Sequence, residues 1–540
     1  MKRIWTICLA GLIANAQSTP PVAQAPLVLK STTRLVQVSV IVTKKGEPFA
    51  GLKKEDFTVL DNGKPQQVGL FSMESSGKLP AAPKPLPPNT YTNRLEQKAS
   101  SPSGITIILL DSLNSRFEDR AYTRNQIVKY LKTIQPEDRI GLYTLGRGIR
   151  VLHDYTADSS ELLAKLAKYK GENLPDLAAG EPSGMGSDAL QLDSWLNGRG
   201  GASGAEADFY TVNRVQGTLR ALQFIADHLA RVPGRKNLIW LSGGFPLTLG
   251  FDNIGEFMDP RREHRTFSDE ITQCVRAMNN ANLAIYPVDA RGLMVDPRFS
   301  AANRTIDLKT PQPPPGRKEQ DSMEELASRT GGRAYFNTND LAKAIHDSVA
   351  DTRLTYTLGY YPSDDKFDGK FHSIKIKVDQ PGISLRYRKG YFDLPEQPQN
   401  EAARKVELRN ASFSPLDATE IGLVAQWRPT DPAKPGFLSL VMQIEPRGIS
   451  LEHQNDRWAG KLDILFVQKD EHGKQYNGQD DTLELRLTEP NYRKAITDGL
   501  IYQRQVPRAP RGKEMRVIVR DAASGAVGSL TMPFPDAAKH

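Results

Sequence analysis

Cysteine is nearly absent: two in 540 residues, Cys8 near the amino terminus and Cys274. Cys8 falls within a segment that reads as cleavable, so only Cys274 is left and no intramolecular disulfide can form, even in a compartment that permits one. Stability must come from apolar cores. Long apolar runs are lacking too. Beyond the first sixteen residues no stretch approaches the roughly 20 apolar residues that span a bilayer, so no transmembrane span is expected in the mature chain. Charge of one sign is scarce: the formal net charge is +8, of which Lys2 and Arg3 supply two, too mild a balance to argue for nucleic acid. The eight histidines are scattered. There is no Gly-x-x-x-x-Gly-Lys-Ser/Thr phosphate loop and no His-Glu-x-x-His zinc helix. Ser242 sits between a strand and glycines, but Trp240 occupies the place where a Gly-x-Ser-x-Gly elbow needs its first glycine. Cys274 reads as buried rather than reactive. No catalytic residue is assigned.

The first sixteen residues carry two basic side chains, an apolar run and small residues at Ala14 and Ala16, the pattern of a secretory signal cleaved after Ala16. Residues 17–32 read as a Pro- and Gln-bearing tether. Val36, Val38 and Val40 alternate with polar residues, as a half-buried strand requires. Asn62-Gly63 between two strand-like runs is a hairpin signal, since both positions tolerate positive φ. A small β-domain over 33–74 is expected, then a Pro-rich linker over 75–103.

Residues 104–353 alternate strand and helix patterns, predicting a central Rossmann-like, doubly wound domain. Its anchor is ITIILLDSLNS at 105–115: six residues without a polar face suit a central parallel strand covered on both sides. Asp111 ends that strand at the carboxyl edge, where open parallel sheets bind ligands. Strands are predicted at 105–110, 139–145, 151–155, 237–241, 283–288 and 333–336. Helices are predicted at 118–133, 159–168, 210–232, 268–281, 322–329 and 340–352. Gly- and Pro-rich stretches at 171–208 and 295–319 exceed ordinary connections and read as loops over the rim. A β extension over 354–394, a linker over 395–404 and an immunoglobulin-like β-sandwich over 405–540 complete a multidomain α/β plus β organisation.

LLDSLNS, NLIWLSGGFP, AIYPVDARGL, LGYYPS and RYRKGYF, in this order, resemble the bacterial secreted proteins called von Willebrand factor type A related domain proteins. The resemblance covers about residues 35–394. It implies a type A fold with a metal-ion-dependent adhesion site, in which Asp-x-Ser-x-Ser, a later Thr and an Asp after the fourth strand hold a divalent cation through oxygen ligands. Carried over, Asp111 and Ser115 match the first motif as candidate metal ligands. Leu113 replaces its middle Ser, Asn114 offers a carbonyl, and Ser242 stands where the later Asp is expected. The Thr is Thr211, at the expected start of its helix, or Thr218. Asp289 is a further rim candidate whose alternative is pairing with Arg291. The alternative for Asp111 is a capping role or a pair with Arg116 or Arg291.

These features predict a secreted or periplasmic binding protein, non-enzymatic and adhesion-like, that recognises a protein or surface polymer through the rim. The rim is a degenerate adhesion site, with Mg²⁺ or another divalent cation as the implied cofactor. The mature protein is expected to be soluble or peripheral, with envelope association as one option. The alternatives are an extracytoplasmic hydrolase using Asp111 and Ser242, or a structural subunit of an envelope assembly. Asp111→Ala is expected to abolish metal-dependent partner binding without unfolding the protein.

Overall fold

The computed structural model describes residues 35–75, 86–94, 104–172, 200–245, 248–249, 265–293, 317–363, 369–393, 401–429, 434 and 436–535. The expected signal and tether, and most of the two expected rim loops, lie outside the described residues.

Five strands form the central sheet. They are β1 (Ile105–Asp111), β2 (Ile140–Leu145), β3 (Ile149–Thr156), β4 (Lys236–Ser242) and β5 (Leu283–Asp289). Their spatial order is β5-β4-β1-β2-β3, parallel except for the edge strand β3. Every residue of β1, β4 and β5 is buried, and the apolar runs at the middle of each leave no polar face for solvent. Odd-numbered Ile105, Ile107 and Leu109 share a core with α3 (Gly200–Leu229), α4 (Ser268–Asn280) and α5 (Arg317–Thr330). Ile108 and Leu110 pack toward α1 (Phe117–Leu131), α2 (Ser159–Lys168) and α6 (Leu341–Ala350). Two layers of helices thus sandwich the sheet, the doubly wound arrangement. Register places Leu241 beside Leu110 and Ser242 beside Asp289. Asp111, Ser242 and Asp289 therefore end three adjacent parallel strands on one rim.

Two predicted elements differ. The helix expected from residue 210 begins at Gly200 and runs for 30 residues, so Thr211 and Thr218 both lie inside it rather than at its start. The strand expected at 333–336 is reduced to a single parallel bridge between Tyr335 and Val288. Gly331 and Gly332 precede it, and a Cβ at Gly332 would stand 1.8 Å from Ile285 O. Two backbone bonds, Tyr335 N to Pro287 O and Asp289 N to Tyr335 O, both 2.8 Å, make up that bridge.

The β segments on either side of this domain join each other. Val36–Lys44 pairs antiparallel with Leu354–Tyr360 and with Ile383–Arg386, and Phe57–Asp61 pairs with Phe371–Val378. One core holds Val36, Val38 and Val59 together with Tyr356, Ile374 and Tyr391. Each half has apolar faces on strands too few to bury them alone, and the second half supplies the missing cover. Asn62 and Gly63 adopt φ of 47° and 80°, the hairpin geometry their side chains permit.

Toward the carboxyl end, Leu423–Arg428, Phe437–Ile444 and Leu500–Pro507 form one sheet. Arg457–Lys469, Gln475–Leu487, Glu514–Asp521 and Val527–Pro533 form most of another, with a shared apolar core between them. Two features depart from a plain linker and sandwich. Thr90–Thr92, inside the expected Pro-rich linker, pairs with Leu423–Arg428. Asn93 fixes it there: its amide donates to Ala418 O and Ile421 O and accepts from Leu423 N. Helix α7 (Glu401–Phe413) starts inside the second expected linker. Arg404 and Glu407, one turn apart, hold it to Asp463 and Arg520 of the sandwich.

Candidate functional site

The rim is organised by the turn after β1. Asp111 Oδ1 accepts the backbone N–H groups of Leu113 at 2.9 Å and Asn114 at 3.0 Å, the local hook by which an aspartate side chain folds the chain back on itself. Its other oxygen, Oδ2, accepts from Asn114 Nδ2 at 2.8 Å, Trp240 Nε1 at 3.0 Å and Ser242 Oγ at 2.7 Å. Five donors therefore converge on one carboxylate that is only 2% exposed. Burial pushes its pKa above the usual carboxylate range, while the bonds from Asn114, Ser242 and Trp240 oppose that shift.

The sequence-predicted residues fall into two groups. Asp111, Asn114, Ser115 and Ser242 come together. Ser115 Oγ accepts from Gly243 N at 3.1 Å, and Ser242 Oγ, besides donating to Asp111, accepts from Gly244 N at 2.9 Å. Gly243 is obligatory, since a Cβ there would stand 2.4 Å from Asn114 O. Leu113 turns inward and is buried in the core shared with α3. Asp289 remains separate. Its carboxylate is clasped by Arg291, with Nε and Nη2 both at 2.9 Å, and Glu319 lies 3.7 Å from the same guanidinium. The pairing alternative for Asp289 is thus the one observed. Asp111, in contrast, is held by neutral donors, not by Arg116 or Arg291.

Of the two threonines, Thr218 reaches the cluster: its Oγ1 accepts from Asn114 Nδ2 at 2.8 Å and donates to Arg214 O at 2.8 Å. Thr211 lies seven residues earlier on α3 and is buried. Two participants were not foreseen, Trp240 as a donor to Asp111 and Arg214, whose Nη1 stands 3.4 Å from Asn114 Oδ1. A signal for Trp240 was present, because in a fully buried strand an indole needs a partner for its N–H.

The donor set does not fit a hard divalent cation. Such an ion needs several oxygens with free lone pairs and near-octahedral freedom. Here both Asp111 oxygens, Ser115 Oγ and Ser242 Oγ each already accept at least one internal hydrogen bond or spend their proton on one. Asn114 Nδ2 occupies the position between the carboxylate and the threonine hydroxyl. No group of three or more His, Cys, Asp and Glu residues is arranged to hold a metal among the described residues.

Beside this cluster opens a cavity of about 130 Å³, lined by Asp111, Ser112, Ser115, Phe117, Arg120, Arg124, Tyr169 and Lys170. Ser112 Oγ and Tyr169 OH lie 3.0 Å apart across it. Phe117 is 64% exposed at its mouth. Apart from the buried Asp111, its charged lining residues are basic.

No protein-family profile matches the chain, and no curated protein does. Among solved structures it is similar to an aerotolerance-related membrane protein from Bacteroides fragilis, at 12% identity over 46% of this chain and 98% of that one, TM-score 0.21. It is also similar to the vWF domain of the type V pili tip protein Mfa5 from Porphyromonas gingivalis, at 12% identity over 46% and 94%, TM-score 0.26. A third likeness is to proximal thread matrix protein 1 from the mussel byssus, solved with a zinc occupied MIDAS motif, at 12% identity over 47% and 46%, TM-score 0.24. Superpositions of that extent leave the fold to rest on the strand order and register above. No helix among the described residues is long and apolar enough to cross a membrane.

Proposed function

We propose that this chain is an exported, non-enzymatic binding protein that recognises a protein or cell-surface polymer at the rim beside Asp111, and that it does so without a resident cation. The observation that carries this reading is the saturation of Asp111 by five internal donors. A carboxylate so engaged is a structural keystone of the turn, and the ligand-facing chemistry passes to the cavity beside it. There Phe117 offers an apolar face, and Arg120, Arg124 and Lys170 offer positive charge suited to acidic groups. The Mg²⁺ or other divalent cation implied by the family resemblance has no part in this reading, and envelope association would come from the ligand.

The hydrolase alternative finds no support in the geometry. Ser242 is fully buried, and its hydroxyl proton is directed at Asp111. A nucleophile needs access to substrate as well as a base to take its proton, and Ser242 has a partner in Asp111 but no access. Among the described residues no histidine bonds to Ser242. A structural subunit of an envelope assembly would use the same surface and differ in stoichiometry.

The test is retention of components from the source cell's envelope fraction on the immobilised full chain, with Mg²⁺ or with EDTA. The reading expects the same component under both conditions and its loss in Phe117→Ala/Arg120→Glu. Retention abolished by EDTA, or unaffected by that double substitution, overturns it.

A further inference from the structure

A second concavity lies on the other side of the Asp111 turn and is independent of the rim reading. It is a cleft of about 410 Å³ between the β2–β3 turn, one face of α3 and the end of α7. That volume is in the range of small-ligand sites. Its floor is apolar, with Leu145 buried and Phe224 partly buried, and Phe413 stands over it from α7. Three arginines line it: Arg147 from the Gly146-Arg147-Gly148 turn, and Arg214 and Arg220, six residues apart on α3.

The charge balance of the cleft is one-sided. None of its lining residues is acidic. On the flank of the Arg147 turn, the carboxylate of Glu172 is already engaged: Oε2 accepts the backbone N–H of Arg147 at 3.1 Å, and Oε1 pairs with Arg150 at 3.0 Å. Arg147 and Arg220 are both exposed, and no acid among the described residues pairs with either guanidinium. Arg214 is buried, and its approach to Asn114 Oδ1 sets the guanidinium beside the cleft. Guanidinium groups are the preferred partners of planar oxyanions, which they can bind through two parallel N–H donors. An apolar floor beneath them selects an anion attached to a hydrophobic body.

We infer that this cleft is a second binding site, taking a carboxylate borne next to an apolar or aromatic group, as at the carboxyl terminus of a peptide ending in a hydrophobic residue. Arg147 and Arg220 hold the carboxylate from the open side. Phe224 and Phe413 receive the apolar group.

The test uses calorimetric titration of the full chain with N-acetyl-phenylalanine and, separately, with its neutral amide. The acid should bind saturably below about 1 mM, and the amide at least about tenfold more weakly, because it lacks the charge-assisted bonds. Arg147→Ala/Arg220→Ala, two exposed positions whose folding is checked by its thermal midpoint, should lose the acid by more than about tenfold. Phe117→Ala at the mouth of the rim cavity should leave it unchanged, which separates this site from the rim. Equal binding of acid and amide, no binding of either, or an unaffected double variant would overturn the proposal. So would tighter binding of phenyl phosphate than of the acid.

Discussion

Asn114 Nδ2 stands 2.8 Å from Asp111 Oδ2 and 2.8 Å from Thr218 Oγ1, so a side-chain amide joins the carboxylate of the first strand to the hydroxyl of α3. An amide nitrogen carries two donors and no formal charge. It donates to both oxygens at once.

Asp111→Ala removes the acceptor for five buried donors at once, Trp240 Nε1 and Ser242 Oγ among them. Unmade bonds to buried groups cost about 1–3 kcal/mol each, with partial relief by relaxation. The expected loss is about 3–5 kcal/mol in denaturant unfolding. A change under about 1 kcal/mol would contradict the keystone role.

Ser242→Asp places a second carboxylate beside Asp111, where the register sets Ser242 next to β1. Two neighbouring buried carboxylates resist joint ionisation unless a cation joins them. The variant should therefore melt lower than wild type, and millimolar Mg²⁺ should raise its midpoint while leaving the wild type unmoved. Differential scanning with and without EDTA reads both effects.

Gly243→Ala tests the close approach of β4's exit to the Asp111 turn. Its Cβ would meet Asn114 O at 2.4 Å, a backbone atom that cannot rotate away. A destabilisation of more than about 2 kcal/mol is expected, with perturbed indole fluorescence from Trp240, in the same turn cluster.

Lys236 begins β4 at the opposite end of the sheet, is 2% exposed, and donates to Val232 O. Burial pushes its pKa down to about 7. The unfolded chain, with an ordinary lysine near 10.4, then binds more protons than the folded one between about pH 7 and 10. This group's contribution to stability therefore rises with pH across that window, and its burial penalty is complete below it. Lys236→Met should be more stable than wild type by a few kcal/mol near pH 6, an advantage that shrinks toward pH 10 in urea unfolding. An advantage independent of pH would contradict a lysine that titrates within that window.

The sheet was legible because its strands are short, uniformly apolar runs bounded by polar turns, and burial on both faces demands that composition. Asp111, Ser115 and Ser242 could be placed on one rim for the same reason, since each follows or ends such a run. The helix carrying Thr218 was harder. Its first turns are Gly- and Ala-rich, which local propensity reads as loop, and the true start shifts which threonine faces the turn. The joining of the two flanking β segments was not legible either. Strand pairing between Val36 and Tyr360 depends on which apolar faces the α/β domain between them leaves uncovered. Likewise, no sequence motif marks Asn114 as an amide bridge, because its role depends on a partner 104 residues away.

If the Asp111 rim is closed to cations by its own hydrogen bonds, isothermal titration of Mg²⁺, Mn²⁺ and Ca²⁺ into the full chain gives no heat beyond dilution up to millimolar concentrations of any of the three. Saturable, one-to-one binding that disappears in Ser115→Ala would contradict it.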